Sequence, residues 1–247
     1  MSVAKEQREK LIWEFPNIGK KAPEQEEKAF AYCEGYKEFL NAAKTEREFV
    51  REAVLRLKEA GYEEFEEGKI YQPGDKVYQI NRKKALLMST FGKRPLEDGV
   101  RINVAHIDSP RLDLKPNPLY EKAEAAYFKT HYYGGIRKYQ WATIPLAMHG
   151  VVILKDGTSV DICIGEKEGD PVFCVTDLLP HLAAQQNERK LKDGIKGEEL
   201  NIIVGSLPYP CEEEDSIKEP VKLLALSILN ERFGMTEKDF LRAEIEF

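Results

Sequence analysis

Val100-Arg101-Ile102-Asn103-Val104-Ala105-His106-Ile107-Asp108-Ser109-Pro110 is the stretch on which the reading of this chain turns. Apolar β-branched residues alternate with other types through Val104, the period-two pattern of a half-buried strand. The run therefore predicts a strand halted by Ser109-Pro110, because proline lacks the N–H that a sheet ladder needs. On such a strand His106 and Asp108, two apart, share a face. An imidazole that holds a metal commonly donates its other ring N–H to a carboxylate, which fixes its tautomer and orientation. His-x-Asp at a strand end thus fits half of a metal site. It also fits a partly exposed histidine followed by an aspartate that opens an Asx turn before proline. Spacing leaves both readings open.

Composition narrows the class. The 247 residues suffice for one large domain or two small ones. A net charge of −6 without any basic block argues against nucleic-acid binding. Met1 to Phe15 mixes charges with few apolar residues and so lacks the apolar core of a signal peptide. No apolar run approaches the roughly 20 residues needed to cross a bilayer, so no membrane partner is expected. Cys33, Cys163, Cys174 and Cys211 form no C-x-x-C pair and fit reduced thiols of a cytoplasmic protein. Abundant Lys and Glu hints at a warm-living source.

Working outward toward the N-terminus, Lys5 to Glu14 reads as a short helix closed by Phe15-Pro16, and Pro23 opens a longer one over Glu24 to Ala43. Phe30, Tyr32, Cys33, Tyr36, Phe39 and Leu40 lie on its apolar side, a stripe that reads as core. Thr45-Glu46-Arg47-Glu48 is a capping box, followed by Phe49, Val50, Val54 and Leu57 at helical spacing. Gly61 gives that helix a left-handed exit. Lys76 to Ile80 and Lys84 to Thr90 read as strands joined at Asn81-Arg82.

Toward the C-terminus, Pro116-Asn117-Pro118 is expected to break the chain. Ala125 to Tyr133, Thr143 to Leu154, Ser159 to Gly165, Pro171 to Thr176 and Asn201 to Val204 are expected strands. Lys155-Asp156-Gly157 is a hairpin turn. Asp177 caps an expected helix over Leu178 to Arg189. Val221 to Phe233 is strongly helical, Gly234 stops it, Thr236 to Asp239 starts a helical turn, and Ala243 to Phe247 alternates as a strand. Glu212 to Asp215 reads as a solvated acidic loop. Helices followed by strands that flank a polar site give the α/β class.

Several stretches together resemble the aspartyl aminopeptidase family of dinuclear zinc metallopeptidases, including its bacterial members. They are His106-Ile107-Asp108-Ser109-Pro110, Leu112-Asp113-Leu114-Lys115-Pro116, Tyr133-Gly134-Gly135, Trp141 with Pro145-Leu146-Ala147 and Gly150-Val151-Val152, and Leu179-Pro180-His181-Leu182-Ala183. Their order and separation look like the family across essentially the whole chain. The resemblance implies that His106 is a zinc ligand and Asp108 the carboxylate that orients it. It implies two zinc ions, replaceable by cobalt or manganese, that activate water against N-terminal peptide bonds. It implies residues 1–115 as part of the catalytic domain, with helices packed on a mixed sheet, and 116–247 as an inserted β-rich dimerisation domain. Homo-oligomers up to dodecamers follow by the same route, with His181 reaching a neighbouring subunit's active site to help hold the substrate; a histidine at a helix N-terminus, packed at an interface without substrate contact, fits equally.

The remaining ligands and the general base are not expected in this chain. His131 and His149 lie in β-like stretches without an accompanying Asp/Glu pair, and read as structural or surface residues. The resemblance therefore makes the chain an N-terminal half, inactive alone. The alternative from another class is a non-catalytic oligomerisation or scaffold protein derived from that family. An in-frame downstream segment carrying the missing ligands favours the first.

Overall fold

The computed structural model describes residues 3–13, 15, 17, 19, 22–210 and 217–247. Pro16, Cys211 and the acidic run Glu212 to Asp215 lie outside the described residues, as does Glu14 at the expected end of the first helix. The architecture is α/β, in two compact units, Met1–Ile107 and Asp108–Phe247. The division falls between Ile107 and Asp108, whereas the 115/116 boundary lies within a strand.

The first unit contains helices α1 (Val3–Leu11), α2 (Pro23–Ala42) and α3 (Glu46–Glu59), then strands β1 (Glu63–Glu64), β2 (Lys76–Asn81) and β3 (Ala85–Thr90). The capping box forms as read: Glu48 N–H donates to Thr45 Oγ1 at 3.2 Å while Glu48 Oε2 accepts from Thr45 N–H at 3.1 Å. Gly61 takes the left-handed φ of 81° just past α3. Val50 and Leu57 are buried on α3, and Val77 and Tyr78 on β2. The sheet is mixed, with β1 parallel and β3 antiparallel to β2. Arg82 and Lys83 turn the β2–β3 hairpin with φ of 52° and 60°, the paired left-handed geometry that matches strand twist.

Two expectations fail in this unit. Residues 100–107 are extended but belong to no strand, and Val104 is 89% exposed. Alternation offers a face, yet a strand also needs a neighbour to exchange backbone hydrogen bonds, and the ladders of this unit involve only β1, β2 and β3. The apolar stripe of α2 is likewise exposed, with Phe30, Tyr32, Tyr36 and Leu40 all uncovered. At its C-terminal end the Phe39 ring meets Phe49 edge-on at 5.0 Å.

The second unit is built on one seven-stranded, wholly antiparallel sheet. Its strands are β4 (Arg111–Lys122), β5 (Ala125–Tyr133), β6 (Met148–Ile153), β7 (Ser159–Ile164), β8 (Cys174–Val175), β9 (Ile202–Gly205) and β10 (Ala243–Glu246). The spatial order is β7-β6-β10-β4-β5-β9-β8, so the last strand in sequence lies near the middle. Pro110 does not terminate a strand; it precedes one. Pro116-Asn117-Pro118 does not break β4 either, because the two proline positions fall where the register slips between Leu114 and Leu119. A bulge leaves residues outside the ladder, so the missing N–H groups cost nothing there.

One face of this sheet carries Leu112, Phe128, Met148, Val152, Ile162, Ile202 and Ile245, and helix α4 (Pro220–Phe233) packs Val221, Ala225 and Leu229 into the same core. Gly234 ends α4 with φ of 69°. The strands expected at Thr143 to Leu154 and Pro171 to Thr176 shorten to Met148–Ile153 and Cys174–Val175. Thr143 takes φ of 63°, which no strand accommodates, and residues 142 and 146 make only single bridges, to Val175 and Phe173. The long helix expected over Leu178 to Arg189 is also absent. A 3₁₀ turn at Pro180–Leu182 and one helical turn at Ala184–Asn187 replace it, since Asp177 Oδ1 accepts from Leu178 N–H and Gln186 Nε2 rather than from the second or third N–H of a helix.

Candidate functional site

The residues around Asp108 are positioned by the start of β4 and the end of β5. Arg111 pairs with Tyr133 in register. Beyond that pair the two chains continue side by side, so that a Cβ placed on Gly134 would lie 3.5 Å from Pro110 Cα and Cγ. Gly134 turns away with φ of 82°, a conformation glycine adopts without a Cβ penalty. Two blocks separated in sequence, Asp108-Ser109-Pro110 and Tyr133-Gly134-Gly135, are thereby brought against each other.

Their contacts are polar. Tyr133 Oη donates to Asp108 Oδ2 at 2.9 Å. The Arg111 guanidinium lies over the Tyr133 ring, 4.2 Å from its centroid, a cation–π geometry. Arg111 Nε also meets Asp113 Oδ1 at 2.7 Å and Glu246 Oε2 at 2.6 Å. Sheet register extends this cluster into a row. Cys163, His149, Glu246, Asp113 and His131 stand directly opposite one another across β7, β6, β10, β4 and β5. Within it His149 is buried, and its Nε2 lies 2.9 Å from Glu166 Oε1. His131 is exposed and stacks beside Tyr132.

His106 is exposed and belongs to the first unit, while Asp108 is half-buried and begins the second. His181 stands exposed in the 3₁₀ turn, between the uncovered side chains of Leu179 and Leu182. Among the described residues, no group of three or more His, Cys, Asp or Glu side chains converges to hold a metal ion. Four-coordinate zinc needs three protein donors even where water fills the last position, so the described residues do not by themselves make a zinc centre. Tyr133, Arg111 and Glu246 carry no metal-site signature in sequence. Only the Tyr-Gly-Gly turn marked one of them.

Comparison with known proteins places these features in a family. Residues 39–247 match the family described as Aminopeptidase I zinc metalloprotease (M18). The chain belongs to the M18 family. A probable M18 family aminopeptidase 1 of Clostridium acetobutylicum is 48% identical over 241 residues, 96% of this chain and 51% of that protein. Its Thermotoga maritima counterpart is 47% identical over 216 residues, 87% of this chain and 46% of that one. The crystal structure of an M18 aminopeptidase from Thermotoga maritima superimposes with a TM-score of 0.85 at 44% identity, covering 95% of this chain and 50% of its own. A dodecamer of S. cerevisiae mApe1 shares the fold, with a TM-score of 0.59 at 18% identity over 86% of this chain and 47% of that one. The chain thus spans about half the length of the M18 relatives it matches. No helix among the described residues is long and apolar enough to cross a membrane.

Proposed function

We propose that this chain supplies one portion of a zinc-dependent aminopeptidase that removes N-terminal residues from peptides. His106 is a metal ligand in this reading and Asp108 the carboxylate that orients its ring. Residues 1–115 belong to the catalytic domain, residues 116–247 to an assembly domain, and His181 to a contact with a neighbouring copy in a cytoplasmic homo-oligomer. The observation that carries the reading is the family match over residues 39–247. In this reading the chain alone is inactive. The other donors of a two-metal site belong, in this reading, to the half of the family's length that the chain does not match.

The decisive assay offers the purified 247-residue chain Asp-, Glu- and Leu-anilides with Zn²⁺, Co²⁺ or Mn²⁺. No turnover is expected, and equilibrium dialysis is expected to find no tightly held zinc. Chelator-sensitive turnover by the chain itself would overturn the incomplete-site reading. A second reading, a non-catalytic assembly protein, draws on the self-contained core and continuous seven-stranded sheet of the second unit. It requires that no polypeptide carrying the missing donors joins this chain in the cell, which affinity purification of the tagged chain from its own host decides.

A further inference from the structure

We infer that Tyr133, held by Arg111, is the positioning residue that sets the rotamer of Asp108. The inference rests on the reading above in which Asp108 orients His106, and adds to it the groups that fix Asp108 in turn.

Two contacts reach residues 108 and 109, and a third joins the residues that make them. The Tyr133 hydroxyl donates to Asp108 Oδ2 at 2.9 Å. Arg111 reaches the carbonyl oxygen of Ser109 through an Nη1 contact at 3.5 Å, and its guanidinium plane covers the Tyr133 ring at 4.2 Å. Asp108 precedes the first residue of β4 by three positions, and no sheet ladder holds it. An aspartate there has two χ angles to settle. A hydroxyl donor on one carboxylate oxygen selects one orientation and leaves the other oxygen's acceptor sites to a second donor.

Tyr133 needs fixing as well, because its side of β5 faces away from the apolar core and the residue is 40% exposed. Arg111 does this. Its Nε is committed to Asp113 at 2.7 Å and to Glu246 at 2.6 Å, and Glu246 is itself buried. The guanidinium is therefore anchored from β4 and β10, and the aromatic ring packs on an immobilised plane. A lysine cannot substitute, since an ammonium offers neither the plane nor the forked donors. The order of dependence runs from Glu246 and Asp113 to Arg111, then to the Tyr133 ring, then to the Asp108 carboxylate.

The test reads the tautomer of His106 in the chain itself, from the ¹⁵N shifts of its two ring nitrogens at a pH well above the histidine pKa. The wild-type chain is expected to show one dominant tautomer. Asp108→Asn, which removes the orienting carboxylate, collapses the preference. Tyr133→Phe, which removes one hydroxyl and keeps the ring, is expected to reduce the preference by about fivefold, the worth of one hydrogen bond. Arg111→Lys reproduces that loss although it keeps the charge. The backbone amide spectrum confirms that each variant is folded. If Asp108→Asn moves the His106 shifts and Tyr133→Phe does not, the Tyr133 inference is overturned and the Asp108 role stands. If Asp108→Asn leaves the shifts in place, the orienting role of Asp108 falls, and the role of Tyr133 with it.

Discussion

Arg111 Nε sits 2.6 Å from Glu246 Oε2, so the first strand of the second unit is pinned to its last by one largely buried ion pair. The two partners are not equivalent. Arg111 Nε stands between two carboxylates, Glu246 and Asp113, and separates them. Arg111→Ala should cost about 3 kcal/mol, because it removes a guanidinium from between two carboxylates. Glu246→Gln keeps an acceptor and should cost about 1 kcal/mol. Urea unfolding followed by far-ultraviolet circular dichroism measures both, and equal losses would show that Asp113 contributes nothing to the cluster.

At Gly150 the backbone of β10 lies close against β6. A Cβ there would stand 2.1 Å from Glu244 O and 2.8 Å from Ile245 Cα. Both are backbone atoms of the neighbouring strand, so no side-chain rotation can relieve the contact. Gly150→Ala should destabilise the unit by roughly 3 kcal/mol or more. The loss should appear in hydrogen exchange as faster opening of residues 243–246 and 148–153 together.

Acid should loosen the loop after β7. The backbone N–H of Gly165, then that of Lys167, donates to Asp170 Oδ2 and holds its carboxyl below the ordinary aspartate value of 3.8, and Arg232 adds to this from 3.6 Å. A depressed carboxylate stabilises the fold fully above its unfolded-state pKa, and the contribution fades as pH falls through the folded-state value. Asp170→Asn should therefore be less stable than wild type at neutral pH and indistinguishable from it in strong acid. A stability gap that persists unchanged down to pH 2 would contradict this.

At His181, stability and activity can be tested separately. It is exposed in its turn, and such surface changes usually stay within about 0.5 kcal/mol. His181→Ala should leave the melting temperature of this chain unchanged. In an assembled, active aminopeptidase containing the chain, the same change should lower kcat/KM by at least tenfold. Unaltered kinetics in that assembly would remove His181 from the substrate contact.

The α/β class was legible wherever local chemistry decides local structure. The Thr45–Glu48 capping box, the left-handed exits at Gly61 and Gly234, and the hairpin at residues 81–84 are short-range devices, and each forms as read. What failed depends on partners far along the chain. The alternation of residues 100–107 cannot say whether a neighbouring strand exists. The stripe of α2 cannot say whether anything covers it. Pro116 and Pro118 cannot announce that the register slips beneath them. At the candidate site, His106, Asp108 and His181 were singled out by motif. Arg111 and Glu246 were not, and Tyr133 was marked only as part of the Tyr-Gly-Gly turn, because the contacts joining them come from sheet register across positions 22 and 135 residues apart from Arg111.

The place of β10 in the sheet sets a timetable for synthesis. Strands β7 and β6 form one antiparallel set and β4, β5, β9 and β8 another, and only β10 joins them. While residues 111–242 leave the ribosome, each set presents an inner edge with unpaired backbone groups, one along β6 and one along β4. Neither edge closes until residues 243–246 emerge to bond with Val152 to His149 on one side and Asp113 on the other. The nascent unit must therefore hold two open edges for most of its own translation, and joining strands so distant in sequence is intrinsically slow. Pairing of residues 243–246 with both edges is therefore the step that completes the sheet of this unit.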